Sequence, residues 1–359
     1  MKKIPILGAL TAGRTERHLV QLPGAALAKD EPRAVITVTG AKPGPVLFVN
    51  GGVHGGEYPA IEAVIRLGKT LDPQKIAGTV ILMPVLNLPA FRLRTPFVCP
   101  VDNVNPNRVF PGDPGGSYSE QMTHAAINEF IMHADAYLDL HGGDIPEALV
   151  PFSICRHGSD AVSQQSKAMA MAFGLPYVLT VSKPIQPAKG LSSYAAAAER
   201  GIPAVLAEAG GVGQMDPAAV ELLVNGVRNV MRHLGMIAAK DDVFAVGKHQ
   251  IPSTKQQGSS KSQNSKQRYH LTPLPEGEAG IIPIILTRFE WLYTKHAGMW
   301  YPGVAAGDMA EQGKEVGSIG SLFGDLLETI VAPVTGRVLF LTINPSVAEN
   351  GLLMGIGVK

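Results

Sequence analysis

The sequence predicts an α/β protein: a mixed, largely parallel sheet flanked by helices, followed by a small C-terminal all-β barrel domain. Three observations predict it. Apolar, β-branched runs at residues 45–49, 78–85, 136–141 and 204–209 alternate with stretches of helical spacing, the β-α-β order of a sheet covered on its faces. From about Asp242 a Ser-, Gln- and Lys-rich stretch without periodicity interrupts the chain. Beyond it the texture changes to short strands punctuated by glycine, the pattern of a barrel or sandwich. The division is 1–241 for the main domain, 242–285 for a polar linker or mobile loop, and 286–359 for the barrel.

Composition narrows the classes of function. With 359 residues, 45% of them hydrophobic, the chain can bury a large core. A net charge of +1 offers no basic surface for nucleic acid or membrane, so the expected partner is a small molecule; association into a homo-oligomer stays open. Cys99 and Cys155 are too few for a disulfide framework and lack zinc-finger spacing. Ile4 to Leu10 is interrupted by Pro5 and Gly8, which argues against a signal peptide and for a first strand. No apolar run approaches the roughly 18 residues of a membrane span, and a cytoplasmic location is expected.

In chain order, residues 34–39 read as a strand, and Lys42-Pro43-Gly44-Pro45 as a turn into the buried strand 45–49. That strand ends in Asn50-Gly51-Gly52-Val53-His54-Gly55-Gly56-Glu57-Tyr58-Pro59. Glycines allow sharp turns, Pro59 suits a helix's first turn, and Ala60, Ile61, Val64, Ile65 and Leu67 cluster on one helical face. His54 and Glu57 thus occupy a strand-to-helix connection, where sheet proteins place their chemistry. An imidazole and a carboxylate at this spacing read as half of a zinc site. The next buried strand, 78–85, completes a β-α-β unit.

From Asn87 to Gly112 the regular pattern stops, and Arg92, Arg94, Asn107 and Arg108 gather among prolines. A loop of this length is usually functional. Asn107-Arg108 reads either as a grip on an anionic substrate or as a surface loop paired to itself. A helix from about Ser119 leads into the strand that ends at His141, and parallel strands bring such ends to one edge, within reach of His54 and Glu57. Glu208 closes the apolar run 204–208. A buried carboxylate there is costly unless it serves as a general base, the plainer reading being a strand end that frays. Asp216-Pro217 starts a helix running to about Gly235.

Taken together, His54-Gly55-Gly56-Glu57, Asn107-Arg108-Val109-Phe110-Pro111-Gly112, Leu138-Asp139-Leu140-His141 and Ala207-Glu208-Ala209-Gly210 occur in an order that resembles the succinylglutamate desuccinylase/aspartoacylase family, related to the zinc carboxypeptidases. The resemblance spans roughly residues 30–235. It implies a carboxypeptidase-like fold for 1–241 as a zinc hydrolase domain, with one Zn2+ per chain on His54, Glu57 and His141. It further implies Glu208 as the catalytic base, Asn107 and Arg108 as holders of a substrate carboxylate, and Arg94, or else Arg92, as the group polarising the scissile carbonyl. Pro106 departs from the Leu of many relatives. Residues 300–359 resemble a biotinyl or lipoyl carrier domain, yet residues 317–333 contain no lysine to carry a prosthetic group.

The expected function is zinc-dependent removal of an acyl group from an N-acyl amino acid or similar small amide. The alternatives are a metallocarboxypeptidase and, from another class, a non-catalytic binding or carrier module.

Overall fold

A computed structural model describes residues 4–29, 31–182, 189–238 and 282–359. The chain enters through β1 (Arg14–Val20) and β2 (Arg33–Thr39), an antiparallel pair. Next come β3 (Lys42–Asn50), α1 (Tyr58–Thr70), β4 (Ala77–Met83), the short α2 (Leu88–Leu93), α3 (Tyr118–Glu129), β5 (Ala136–His141) and β6 (Glu147–Leu149). The main body continues with β7 (Phe152–Arg156), α4 (Ala161–Phe173), β8 (Tyr177–Val181), α5 (Ser193–Glu199), β9 (Ala204–Glu208), α6 (Pro217–His233) and β10 (Ile284–Leu286). Nine of these strands form one sheet in the order β1-β2-β4-β3-β5-β9-β7-β8-β10. The centre is parallel, β3 pairing with β4 and β5 and β5 with β9, whereas β2–β4 and β7–β9 run antiparallel. This is the expected mixed, largely parallel sheet.

Alternation along the strands sends side chains to opposite faces, and each face has its own core. Phe48 stacks on Phe130 and Tyr137 on one side, while its neighbours Leu47 and Val49 pack with α1 and α6 on the other. Pro59 lies in the first turn of α1, and α3 begins with a capping box formed by Ser117 and Glu120. In α6, Gly226 faces the ring of Phe173, and a Cβ there would overlap the ring. Gly226→Ala is therefore expected to destabilise the protein by about 1–3 kcal/mol, read as a lower denaturant midpoint at unchanged m-value. An unchanged midpoint would show that Phe173 has room to move.

Two local readings are corrected. Ile4 to Leu10 is not a strand: Pro5–Leu7 is a 3-10 turn, closed by Gly8 at φ 71°, and the first strand begins at Arg14. The stretch after Asn87 contains α2, started by the Asn87 side chain accepting from Ala90 N at 3.3 Å. Its six residues are too few for helical periodicity to show.

At the C-terminal end come β11 (Arg288–Tyr293), β12 (Gly298–Pro302), β13 (Met309–Ala310), β14 (Glu315–Gly320), β15 (Leu326–Val331), β16 (Gly336–Thr342), β17 (Ser346–Val347) and β18 (Leu352–Val358). They form two antiparallel sheets, β11-β18-β16-β13 and β15-β14-β12-β17, around a core that includes Trp300, Ile319, Val338 and Leu353. β6 pairs with β16 and so ties this unit to the rim of the large sheet. Most of the stretch read as a linker, 242–285, lies outside the described residues, but Ile284 and Ile285 at its end, with Leu286 after them, pair in parallel with β8.

Candidate metal centre and active site

The sheet register assembles the site. Asn50 at the end of β3 pairs with Asp139, so His141 projects just past β3, beside the turn that carries His54. Gly55 and Gly56 let that turn lie flat: a Cβ on the first would overlap the backbone of Phe91, and on the second the carboxylate of Asp144. Glu57 occupies the N-cap of α1 but makes no capping hydrogen bond with its side chain. The carboxylate instead reaches both imidazoles, Oε1 lying 2.8 Å from His54 Nδ1 and Oε2 2.8 Å from His141 Nδ1. The two rings sit 5.0 Å apart at 74°, and one ligand atom from each of the three residues falls within 4.8 Å of the others.

The outward nitrogens face oxygens as well, that of His54 in a hydrogen bond and that of His141 close to Asp139 without one. His54 Nε2 is 3.1 Å from Asn105 Oδ1, which also accepts from Asn107 N, and His141 Nε2 is 3.0 Å from Asp139 Oδ2. Asp139 accepts from Asn50 Nδ2 at 2.9 Å and from the Ser193 hydroxyl. Outer partners of this kind orient histidines that ligate a metal. Glu57 Oε2 is buried and makes no hydrogen bond despite its closeness to His141. Two imidazoles and one carboxylate with an orphaned oxygen fit a catalytic divalent metal, zinc above all. Burial alone would raise the Glu57 pKa, but the positive imidazoles override it and hold the carboxyl well below the usual range. Burial likewise pulls His141 down, and Asp139 and Glu57 reverse that to a pKa well above the ordinary imidazole value.

Glu208 closes β9 in register with His141. Burial pushes its carboxyl pKa well up against the pull of His141, with Glu57 and Glu147 adding to the rise, and Oε2 makes no hydrogen bond. His54, Glu57 and Glu208 line a cavity of about 460 Å3 together with Asn107 and Arg108. Asn107 is buried, its Oδ1 accepting from Ser193 N at 2.9 Å. Arg108 donates to Asn107 O at 2.8 Å; burial lowers its pKa without threatening the charge of a guanidinium.

The structure brings six of the seven expected residues together and leaves Arg94 out. Arg94 is exposed in the left-handed C-cap of α2 at φ 55° and does not line the cavity; Arg92, also exposed, pairs with Glu31. Asn105, Asp139 and Glu147 are site residues that sequence reasoning missed. Asp139 was readable from alternation, two residues before His141 on the same strand face. Asn105 and Glu147 carried no comparable signal. Burial, with the charge of Glu57 nearby, pushes the Glu147 carboxyl up to about 7.

Comparison with known proteins first defines the class. The sheet is the desuccinylase/aspartoacylase fold: the product-bound ectoine utilization protein EutE (DoeB) from Ruegeria pomeroyi is similar at a TM-score of 0.75 and 20% identity, over 98% of this chain and 97% of that one. A succinylglutamate desuccinylase/aspartoacylase from Rhodobacter sphaeroides is similar at 0.74 and 22% identity, over 98% of both chains. The narrower assignment comes from the sequence, because the succinylglutamate desuccinylase/aspartoacylase catalytic domain profile matches residues 43–234. The chain belongs to the succinylglutamate desuccinylase/aspartoacylase family. It is 30% identical over 307 residues to the N-alpha-acetyl-L-2,4-diaminobutyric acid deacetylase of Halomonas elongata, covering 84% of this chain and 77% of that protein.

Proposed function

We propose that this protein is a zinc-dependent amidohydrolase that removes the acyl group from an N-acyl amino acid. The observation that carries the reading is the convergence of His54, Glu57 and His141 beside the carboxylate of Glu208, with His54, Glu57 and Glu208 lining one cavity. When bound by the trio, zinc would supply Lewis acidity and lower the pKa of water toward about 7. Glu208 takes the proton of the attacking water and delivers it to the leaving nitrogen as the C–N bond breaks. Arg108 forks the substrate carboxylate, with the Asn107 amide beside it, and so aligns the scissile bond. Arg94 has no part in this scheme, since its side chain stands outside the cavity.

The test is metal content together with hydrolysis. Purified protein should hold about one zinc per chain and release free amino acid from N-acyl amino acids, with chelation abolishing activity and zinc restoring it. Hydrolysis that survives complete removal of metal would overturn the proposal.

Arg108→Lys keeps the charge and loses the fork, so kcat/KM for a free-acid substrate should fall roughly 10- to 150-fold, about 1.5–3 kcal/mol. The primary amide of the same substrate should discriminate poorly between parent and variant. An equal penalty on both would make Arg108 a structural loop residue.

A further inference from the structure

The cavity has two unlike halves, and the half away from the metal trio is apolar. Leu206 lies two residues before Glu208 and shares its sheet face. Across the antiparallel β7–β9 ladder, Phe152 stands opposite Glu208 and Ile154 opposite Leu206. Paired residues point to the same side, so Phe152, Ile154 and Leu206 form a continuous patch with the catalytic carboxyl at its corner. The C-terminal sheets contribute Phe289, Trp291 and Phe340, packed on one another at centroid distances of 4.9, 5.2 and 5.9 Å. All six line the cavity.

Charge is distributed to match. Among the described residues lining the cavity, Arg108 is the sole Lys or Arg. It adjoins the apolar half through the segment that leads into α5: Gly190 N donates to Arg108 O at 2.8 Å, and Leu191 pairs with Phe110. A carboxylate seated on Arg108 therefore has apolar surface beside it. In an N-acyl amino acid the carbon that bears the carboxylate also bears the acylated nitrogen and the side chain; with the nitrogen's amide bond directed to the metal trio, the side chain is the group left to meet that surface.

Resting on the deacylase reading above, we infer that the substrates are N-acyl amino acids with large apolar side chains, aromatic or branched aliphatic, and that Phe152, Ile154, Leu206 and the Phe289–Trp291–Phe340 cluster form their side-chain subsite. A charged side chain placed against this wall would lose most of its hydration, the Trp291 indole N–H, which makes no hydrogen bond, being the donor it could meet among these six residues. Glu147 also lines the cavity, where its Oε2 accepts from Asp144 N at 3.4 Å. Besides Glu57 and Glu208, to which the metal and the proton transfer are assigned above, it is the carboxyl of the described lining that would favour a cationic side chain, and the experiment must separate that outcome.

The experiment compares kcat/KM of the zinc-loaded protein on the N-acetyl derivatives of L-phenylalanine, L-leucine, L-alanine, L-aspartate, L-glutamate and L-2,4-diaminobutyrate. The phenylalanine and leucine substrates should exceed the three charged ones by at least about 100-fold. In Trp291→Ala and, separately, Ile154→Ala, the phenylalanine-to-alanine ratio should fall about tenfold. A charged substrate ranking first, or ratios unmoved in both variants, would overturn the inference and leave the deacylase reading standing. A rate that follows acyl length, read with N-octanoyl-L-alanine, instead of the side chain would also overturn it. Should the whole panel be inert, the deacylase reading falls, and binding decides the subsite: N-acetyl-L-phenylalanine should raise Tm more than N-acetyl-L-aspartate, and the reverse order would overturn the assignment.

Discussion

Glu208→Gln is expected to retain zinc and to lose at least about 100-fold in kcat. Glutamine keeps the size of the side chain and one carbonyl oxygen but cannot accept a proton at neutral pH. Glu208 stands in register with His141 yet is not one of the three residues whose ligand atoms converge, so the metal should not depend on it. Its buried Oε2 has no hydrogen-bond partner, which leaves that oxygen available to a water or a leaving amine. Metal content and steady-state kinetics on the same preparation decide the matter. Loss of zinc in the variant would make Glu208 a ligand, while full activity with zinc retained would remove it from the proton path.

The grouping of His54, His141 and Glu208 was legible because parallel β-strands obey a simple rule: their C-terminal ends share an edge. A His in the turn after one apolar run, a His at the end of another and a Glu at the end of a third are far apart in sequence, yet the order β3-β5-β9 makes them neighbours. That Arg108 lines the cavity was foreshadowed for a different reason, its chemistry in a long loop. The same loop misdirected the choice of Arg94, because α2 is too short to show periodicity and its C-cap turns that side chain outward. Nor could the apolar wall of the cavity be read. Phe152 and Ile154 belong to β7, which runs antiparallel to β9, and Phe289, Trp291 and Phe340 arrive from the C-terminal sheets, tied to the large sheet's rim by the β6–β16 pairing. Strand order between distant segments is decided by tertiary packing, which no local pattern encodes.

The second large effect is expected at the metal itself. His54→Ala should lower bound zinc from about one per chain to less than about one-tenth, and hydrolysis should fall with it, because a two-ligand site holds the ion far more weakly. His54 is preferable to His141 as the test, since it sits in the turn after β3 whereas His141 is a residue of the central sheet. Its removal also leaves Asn105 Oδ1 with the Asn107 amide still donating to it, so no new orphan is created there. The variant should therefore fold, and circular dichroism checks this. Stability gives a readout independent of turnover. Free zinc at about 100 times its dissociation constant stabilises a protein that binds it only when folded by about 2.7 kcal/mol, enough to raise Tm by several degrees. The parent, stripped and then titrated with zinc, should show that rise, and folded His54→Ala should not. An equal rise in both proteins would mean that zinc binds elsewhere, and the trio would lose its assignment as the metal centre.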